Sequence, residues 1–542
     1  MKKIPIAIED FREVREQDCY YVDKTKFIED ILNDGSEVKL FCRPRRFGKT
    51  LNMSMLKYFF NIENQDENRK LFNGLYIENS PMMKEQGKYP VIFISLKGIS
   101  GSNFEEALSK IRNKISTLYD EYKDILPYLD EFDSLKFKKY LIEQVDKSSL
   151  ESSLLFLTKI LYKYYNQKVI VLIDEYDSPI ISAYEKRYYN EMRDFLRAFY
   201  GDVLKTNNYL KMGILTGIIR VAQAGIFSDL NNFTNYTILN NEYSDCFGLV
   251  ESEVKAMLDY YNIGYEMPEV KSWYNGYSFG ENEIYNPWSI LKYVQFKKVK
   301  SYWVNTSGNA LILNMLLASN STVFDNLNDL INGKDIMVYI NESIRMGDNL
   351  SPNNIWEIML FSGYLTVKET LSETMFVLRI PNKEIQSLFK GLFVDAIFRE
   401  SSNVGSLVQA LITKNISQVI KSLEDVVINA ISFYDISRKY ENPYQALLGG
   451  FLYALDDYYI MEPNMESGYG RADIILIPRN KSWAGYILEL KRANTNDIEK
   501  EVERAFNQIE DKKYEALLKK NGVKDIVKIG IVFDGKKAMA YY

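Results

Sequence analysis

Two groups of residues in this chain have the types and spacing of phosphate chemistry. The first is Arg43-Pro44-Arg45-Arg46-Phe47-Gly48-Lys49-Thr50. It closes as a phosphate-binding loop does, in Gly-Lys-Thr, but opens on Arg43 where the G-x-x-x-x-G-K-[ST] pattern has glycine. An apolar run from Val38 to Cys42 precedes it and a helix-forming run from Leu51 to Phe60 follows, the strand–loop–helix setting the motif needs. A helix starting near Lys49 would direct its unsatisfied N–H groups and positive dipole end into the loop. Gly48 would let the backbone come close to phosphate, Lys49 would reach the β and γ phosphates, and the Thr50 hydroxyl would ligate Mg²⁺. A nucleoside triphosphate with Mg²⁺ is the ligand this spacing predicts.

Val169-Ile170-Val171-Leu172-Ile173-Asp174-Glu175 supplies the matching acidic element, a buried strand ending in two carboxylates. Asp174 would hold the Mg²⁺ water shell, and Glu175 would polarise the attacking water. The next strand ends at Thr216-Gly217, which makes Thr216 a candidate sensor of the γ phosphate. Arg220, a turn later, could serve as a charge sensor or cap a surface loop. Arg43, Arg45 and Arg46 could add phosphate contacts or pair with Asp174, Glu175 or Asp177.

The second group lies near the C-terminus: Asp473 at the start of one strand, and Glu489-Leu490-Lys491 at the end of the next. A strand's period of two puts Glu489 and Lys491 on one face. If the strands pair as a hairpin, Asp473 and Glu489 converge on a hard-metal site for Mg²⁺. Lys491 beside them could orient or deprotonate water and steady charge on a phosphate, which is phosphodiesterase chemistry. The competing reading of Glu489-x-Lys491 is a surface ion pair.

This chemistry suits a chain without a single histidine. Ser-His-Asp triads, Cys-His pairs, His-ligated zinc and histidine general bases are all excluded. Catalysis is left to carboxylates, lysine, tyrosine or a hard metal ion. Over 542 residues, 46% hydrophobic and 26% charged content are those of a folded chain, and the length prior is three or four domains. A net charge of −6 argues against a generally basic nucleic-acid coat, though not against a local basic channel. Cys19, Cys42 and Cys246 are too scattered for a zinc site or disulfide framework and fit a reducing cytoplasm. The apolar run at the N-terminus is too short for a signal peptide, and no stretch reaches the length of a membrane-spanning helix.

The elements that must position these residues follow from periodicity. Residues 1–245 alternate strand and helix patterns, with strands at 38–42, 90–95, 168–173 and 210–215, as in a parallel sheet covered on both faces. Residues 246–390 read as mostly helical. Asn286-Pro287 forms an N-cap and first helical position opening a helix toward Val294, and 364–367 with 375–380 form a hairpin after a helix, a winged-helix-like arrangement. This stretch could be a nucleotide lid, a DNA reader or a spacer, and Lys297, Lys298 and Lys300 could meet phosphates or form a solvated charge run. Residues 391–542 begin with a helical lead-in. Strands at 474–477 and 484–490 follow, then a long helix at about 497–520 and a closing hairpin turned by Asp534-Gly535.

VDKTKFI at 22–28, RPRRFGKTLNMSML at 43–56, LIDEYDSP at 172–179, LTGIIR at 215–220 and WYNGYSFG at 273–280 resemble the predicted AAA-ATPase-like family of bacterial proteins, over roughly residues 1–290. The resemblance implies that an Arg-rich phosphate loop is the usual form. It also implies an additional-strand P-loop NTPase core, in which a strand, 90–95 here, sits between the Walker strands and Glu175 is catalytic. Glu466 through Asp473, ILELK at 487–491, and Gln508 with Tyr514 resemble the PD-(D/E)xK nuclease superfamily over about 430–535, an α/β restriction-endonuclease-like domain. That resemblance implies catalytic Asp473, Glu489 and Lys491, Gln508 on a helix facing the site, and Glu466 as an extra metal ligand. Together they imply ATP and Mg²⁺ as cofactors, nucleic acid (DNA first) as partner, and no membrane; a homo-oligomer is compatible with both. Such a fusion suits defence against foreign DNA or mobile-element upkeep. The alternative is an ATP-switched sensor or scaffold whose C-terminal domain binds a partner without cutting.

Overall fold

The computed structural model describes residues 1–221, 227, 232–303, 312, 315, 321–331, 333–344, 354–389, 402–423, 455, 458–467, 470–492, 498–512, 514–534 and 537–542; for some of these, 461–467 and 470–473 among them, it describes the backbone alone. The chain divides into two compact units. One holds Met1–Ser307 and Asp335–Ile385, the other Gly308–Lys334 and Gln386–Tyr542.

In the first unit, five strands form a parallel sheet: β1 (Val38–Cys42), β2 (Val91–Ser95), β3 (Val169–Asp174), β4 (Leu210–Gly217) and β5 (Phe233–Tyr236). Their order is β2-β3-β4-β1-β5. Continuous apolar runs form these strands because helices cover both faces and leave no side that must be polar. Every residue of β1 and β3 is buried. Lys39 is inside β1 at 1% exposed, and its ammonium donates to the Asp34 and Ser36 carbonyls.

The order corrects one expectation. Residues 91–95 lie between the Walker strands in the chain but form the sheet's edge; the strand lying between them in space is β4. β5 was not foreseen, because Phe-Thr-Asn-Tyr is short and half polar. It pairs with β1 through Val38↔Phe233 to Phe41↔Tyr236.

The helix after the loop runs Lys49–Phe60, starting at Lys49 as expected, so Lys49 and Thr50 open its first turn. Gly48 caps it at φ 84°, in the left-handed region that only glycine enters freely.

Residues 246–303 contain more strand than expected. β6 (Leu249–Val250), β7 (Tyr277–Phe279) and β8 (Asn282–Tyr285) form a sheet in the order β6-β8-β7, between helices Glu251–Tyr260, Met267–Tyr274 and Pro287–Phe296. Further along, β9 (Ile336–Tyr339), β10 (Thr366–Thr370) and β11 (Met375–Arg379) form a sheet in the order β10-β11-β9. The β10–β11 hairpin follows helix Ile355–Ser362, in the expected helix-then-hairpin sequence.

The second unit is built on a mixed sheet in chain order: β12 (Tyr459–Ser467), β13 (Gly470–Pro478), β14 (Gly485–Arg492), β15 (Ile526–Asp534) and β16 (Lys537–Tyr541). β14 and β15 are parallel and the other neighbours antiparallel. Period two sorts its side chains. Ile474, Leu476, Tyr486 and Leu488 join a core with Leu407 and Leu411, whereas Ile475, Ile477 and Ile487 join Ile509, Tyr514 and Leu518 on the other face.

The single long helix expected at 497–520 is two, Ile498–Lys512 and Ala516–Lys520. Tyr514, which falls between them, is buried at 1% exposed in the second of those cores. Of the helical lead-in, Ser402–Thr413 is described as helix, while 391–401 and Gly535 of the closing turn lie outside the described residues.

The Asn286 side chain accepts from the Trp288 and Ser289 N–H groups at 2.9 and 3.3 Å, with Pro287 at the first helical position. Asn286→Ala should therefore cost the first unit about 1 kcal/mol in denaturant unfolding, the usual loss of an N-cap.

Candidate functional site

The phosphate loop sits between β1 and the helix Lys49–Phe60, and its signature residues meet the acidic end of β3. Asp174 has no exposed surface. Its carboxylate accepts from Thr50 Oγ1 at 2.9 Å and from Thr216 Oγ1 at 2.5 Å, with Ser95 Oγ at 3.5 Å. Four elements, β2, β3, β4 and the loop helix, thus deliver one side chain each to a single point. Lys49 Nζ donates to the Arg43 and Pro44 carbonyls at 2.9 and 2.7 Å. Burial lowers its pKa against the pull of Asp174, Asp177 and Glu175.

Glu175 follows at φ 51°, a left-handed conformation unusual for a glutamate. Burial, and then the neighbouring Asp174 charge, push its carboxyl above the ordinary range, which makes it a stronger base. Asp177 Oδ2 accepts from the Ile218 and Ile219 N–H groups at 2.7 and 2.9 Å and so fixes the turn after β4.

These residues fit a magnesium-bound triphosphate. The loop helix presents its N-terminus, and a Cβ built on Gly48 would meet nothing within 4 Å. A hydroxyl, a carboxylate and an ammonium stand around that opening. Ser95 is an addition to the expected set, and Asp177, expected as a partner for the loop arginines, instead accepts from the Ile218 and Ile219 N–H groups. Ser95 had a readable signal, a hydroxyl at the tip of an apolar strand.

The arginines divide. Arg43 does not offer its side chain to phosphate. Its guanidinium is completely buried behind the loop, donating to the Cys42, Tyr236 and Tyr243 carbonyls at 3.0, 2.9 and 3.2 Å. The rings of Phe247 and Phe279 flank it at 5.3 and 5.5 Å. Burial lowers its pKa to about 10.

Arg46 is exposed, with its guanidinium 3.9 Å over the Trp288 ring. The Arg45 carbonyl accepts from Trp303 Nε1 at 3.2 Å. Arg220 faces Glu342 at 3.9 Å, and residues 220–221 are tied to Ile344 by Ile344 N donating to the Arg220 carbonyl.

Residues 246–303 therefore grip the loop. Phe47 is buried against Tyr277 and Phe279, at 5.0 and 5.1 Å between ring centres. Gly248 N donates to the Phe47 carbonyl at 3.0 Å, and a Cβ on Gly248 would fall 2.9 Å from the Phe47 ring. Glu384 anchors this grip, accepting from Trp303 N and from Ser289 Oγ, both at 2.8 Å.

In the second unit, Glu489 is 1% exposed and accepts from Lys491 Nζ at 2.7 Å, while the lysine side chain keeps 40% of its surface open. The pair is on one face as expected, but its carboxylate is interior rather than on the surface. β13 pairs with β14 from Leu476↔Tyr486 to Ile474↔Leu488, and Asp473 and Glu489 are the next residues of the two strands beyond that last pair. Glu466 stands opposite Arg471 across β12 and β13. The side chains of Asp473 and Glu466 lie outside the described residues. Among the described residues no three metal-ligating side chains cluster. Gln508, on the helix packed over β14 and β15, donates through Nε2 to the Tyr514 hydroxyl at 3.2 Å.

Comparisons with known proteins find two matches, one in each part of the chain that carries a candidate site. Residues 5–227 match the family model described as predicted AAA-ATPase, and residues 439–541 match the PD-(D/E)XK nuclease superfamily. An uncharacterized protein in the vnfD 5′ region of Azotobacter chroococcum mcd 1 is 27% identical over 391 residues, covering 71% of this chain and 69% of that protein. No helix among the described residues is long and apolar enough to cross a membrane.

Two outcomes follow. Arg43→Met leaves buried carbonyls without donors and should lower stability by about 3 kcal/mol in thermal unfolding. Burial raises the Glu384 carboxyl to about 7, above its unfolded value near 4.3. The folded state thus holds a proton that the unfolded chain has released, and stability from this group is lost as pH rises through 7. Between pH 5 and 8, the melting temperature of Glu384→Gln should fall less than that of the parent.

Proposed function

We propose, from a chain whose residues 5–227 belong to the predicted AAA-ATPase family and whose residues 439–541 belong to the PD-(D/E)XK nuclease superfamily, that it binds and hydrolyses ATP and uses this to control a Mg²⁺-dependent nuclease acting on DNA. The observation that carries the first half is the convergence of Thr50 and Thr216 on the buried Asp174, directly beside Lys49 and Glu175.

Bound Mg²⁺ supplies charge neutralisation for the triphosphate. Thr50 and Asp174 would hold it, and the other work falls to residues of this chain. Lys49 carries positive charge to the β and γ phosphates. Thr216 donates its hydroxyl within the Asp174 network and sits where a γ phosphate can be sensed. Glu175, with its raised pKa, accepts the proton of the attacking water. Arg46 and Arg220 lie near the loop and the β4 tip as candidate phosphate contacts, while Arg43 contributes through its carbonyl and its packing.

In the second unit, Glu489 and Asp473 are the carboxylates for a divalent cation, with Glu466 as a further ligand. Lys491 orients the attacking water and steadies the charge that develops on phosphate. Gln508 lies on the adjoining helix as a phosphate contact.

The expected results are specific. With Mg²⁺ and DNA, the parent chain should cut and Lys491→Ala should lose all detectable cleavage. Glu175→Gln should release phosphate from ATP at least about a hundredfold more slowly, as for loss of a general base. Lys49→Ala should change the cleavage rate or substrate range. An unchanged rate and range would leave two unconnected activities.

A further inference from the structure

One stretch of the chain is charged in one sense only. Between Glu283 and Asp325 there is no aspartate or glutamate, and the charged residues are Lys292, Lys297, Lys298 and Lys300. In a chain with 73 acidic residues and a net charge of −6, this is a local reversal of sign.

The helix Pro287–Phe296 displays it. Ser289, Ile290, Tyr293 and Val294 are buried on its inner side. Trp288, Lys292 and Phe296, each four residues apart, run along the other side. Cations and rings alternate along this stripe. The Arg46 guanidinium lies over Trp288, and the Lys292 ammonium lies 5.0 Å from the Trp288 ring and 5.5 Å from that of Phe296. Phe296 then stacks on Tyr302, with 6.2 Å between ring centres and 20° between planes. Phe296 is nevertheless 57% exposed. Lys297, Lys298 and Lys300 are exposed beside it, and among the described residues no carboxylate pairs with them or with Lys292. Glu384, behind the helix, is fully buried and spent on Ser289 and Trp303.

Basic residues after a helix C-terminus offset its dipole. That accounts for lysines at these positions but not for a bare phenylalanine among them or for the missing carboxylates. We propose that this face binds single-stranded nucleic acid, with Lys297, Lys298 and Lys300 meeting phosphates and Phe296 stacking on a base. Every base has a ring face, so such a surface is indifferent to sequence. A duplex keeps its bases stacked on one another and can use the lysines alone. An anionic membrane is the other polyanion that a basic, aromatic helix can meet, but one bare ring in a stripe of cations offers little apolar area to lipid. The surface is carried by the unit that holds the phosphate loop, so it goes beyond the cleavage centre proposed for the second unit and does not depend on it.

Fluorescence anisotropy of a labelled, mixed-sequence oligodeoxynucleotide, single-stranded or as its duplex, tests this on the full chain without divalent metal, so that no strand is cut. Lys297→Gln/Lys298→Gln/Lys300→Gln should bind the single strand at least about tenfold more weakly and flatten the slope of log affinity against log salt by about 2, three phosphate contacts at about 0.7 each. Phe296→Ser should weaken the single strand about tenfold and leave the duplex unchanged, as for one lost stacking contact. All four positions are exposed, and unchanged thermal melting shows that the variants fold. Parent affinity and slope in the lysine variant overturn the proposal, as does a Phe296→Ser variant that binds the single strand like the parent or loses the duplex equally. Tighter binding to phosphatidylserine vesicles than to the single strand, lost with Phe296→Ser, assigns the face to a membrane instead. Cleavage is read separately. A parent that never cuts DNA but shows these losses keeps this inference and removes the nuclease reading, whereas a parent that binds no single strand removes this one.

Discussion

A carboxylate with no exposed surface must be met by donors or a cation, because burying it alone costs several kcal/mol. Asp174 is that carboxylate, and the first unit is arranged around meeting it. The parallel sheet brings the tips of β2, β3 and β4 level, so that Ser95, Asp174 and Thr216 lie at the same height at the strand ends. The loop helix contributes Thr50 from above. Those two threonine hydroxyls satisfy the carboxylate at the place where a hydrated Mg²⁺ would compete for it. The same buried, low-dielectric setting raises Glu175 and lowers Lys49, so the site's acid–base character follows from the sheet's interior.

The loop's departure from the usual glycine has a physical reason of its own. A glycine at position 43 would leave the carbonyls at the ends of β1 and β5 short of donors. Arg43 reaches them with a guanidinium held between aromatic rings, and its acceptors among the described residues are all backbone carbonyls. The loop is thereby fixed from behind as well as from the helix side. Lys49 then ties its front to the carbonyls of residues 43 and 44.

Much of this was legible in the chain, because the informative signals are local. The loop Arg43–Thr50, ending in Gly48-Lys49-Thr50, follows an apolar strand directly, and Asp174-Glu175 closes another. Glu489 and Lys491 needed only period two to share a face. The losses have equally concrete causes. Sheet order is a long-range property, so the edge position of residues 91–95 left no local trace. β5 is half polar and its pairing comes from β1. The grip on the loop joins Trp303 to Arg45, 258 residues apart in the chain, and no neighbouring pattern announces it. The direction of Arg43 was undecidable for the same reason, since its acceptors, Tyr236 and Tyr243, lie far down the chain.

The packing of Phe47 bears on how the protein can be taken apart. Phe47 is 1% exposed because Tyr277, Phe279 and Gly248 cover it, and Arg43 draws one face of its surroundings from Phe247 and the other from Phe279. A chain trimmed at residue 245, where the alternating strand–helix pattern ends, would uncover a phenylalanine at the centre of its own phosphate loop and strip a buried cation of its aromatic walls. The smallest self-sufficient unit around the loop therefore extends at least through β8, and fragments ending earlier are poor surrogates for the whole.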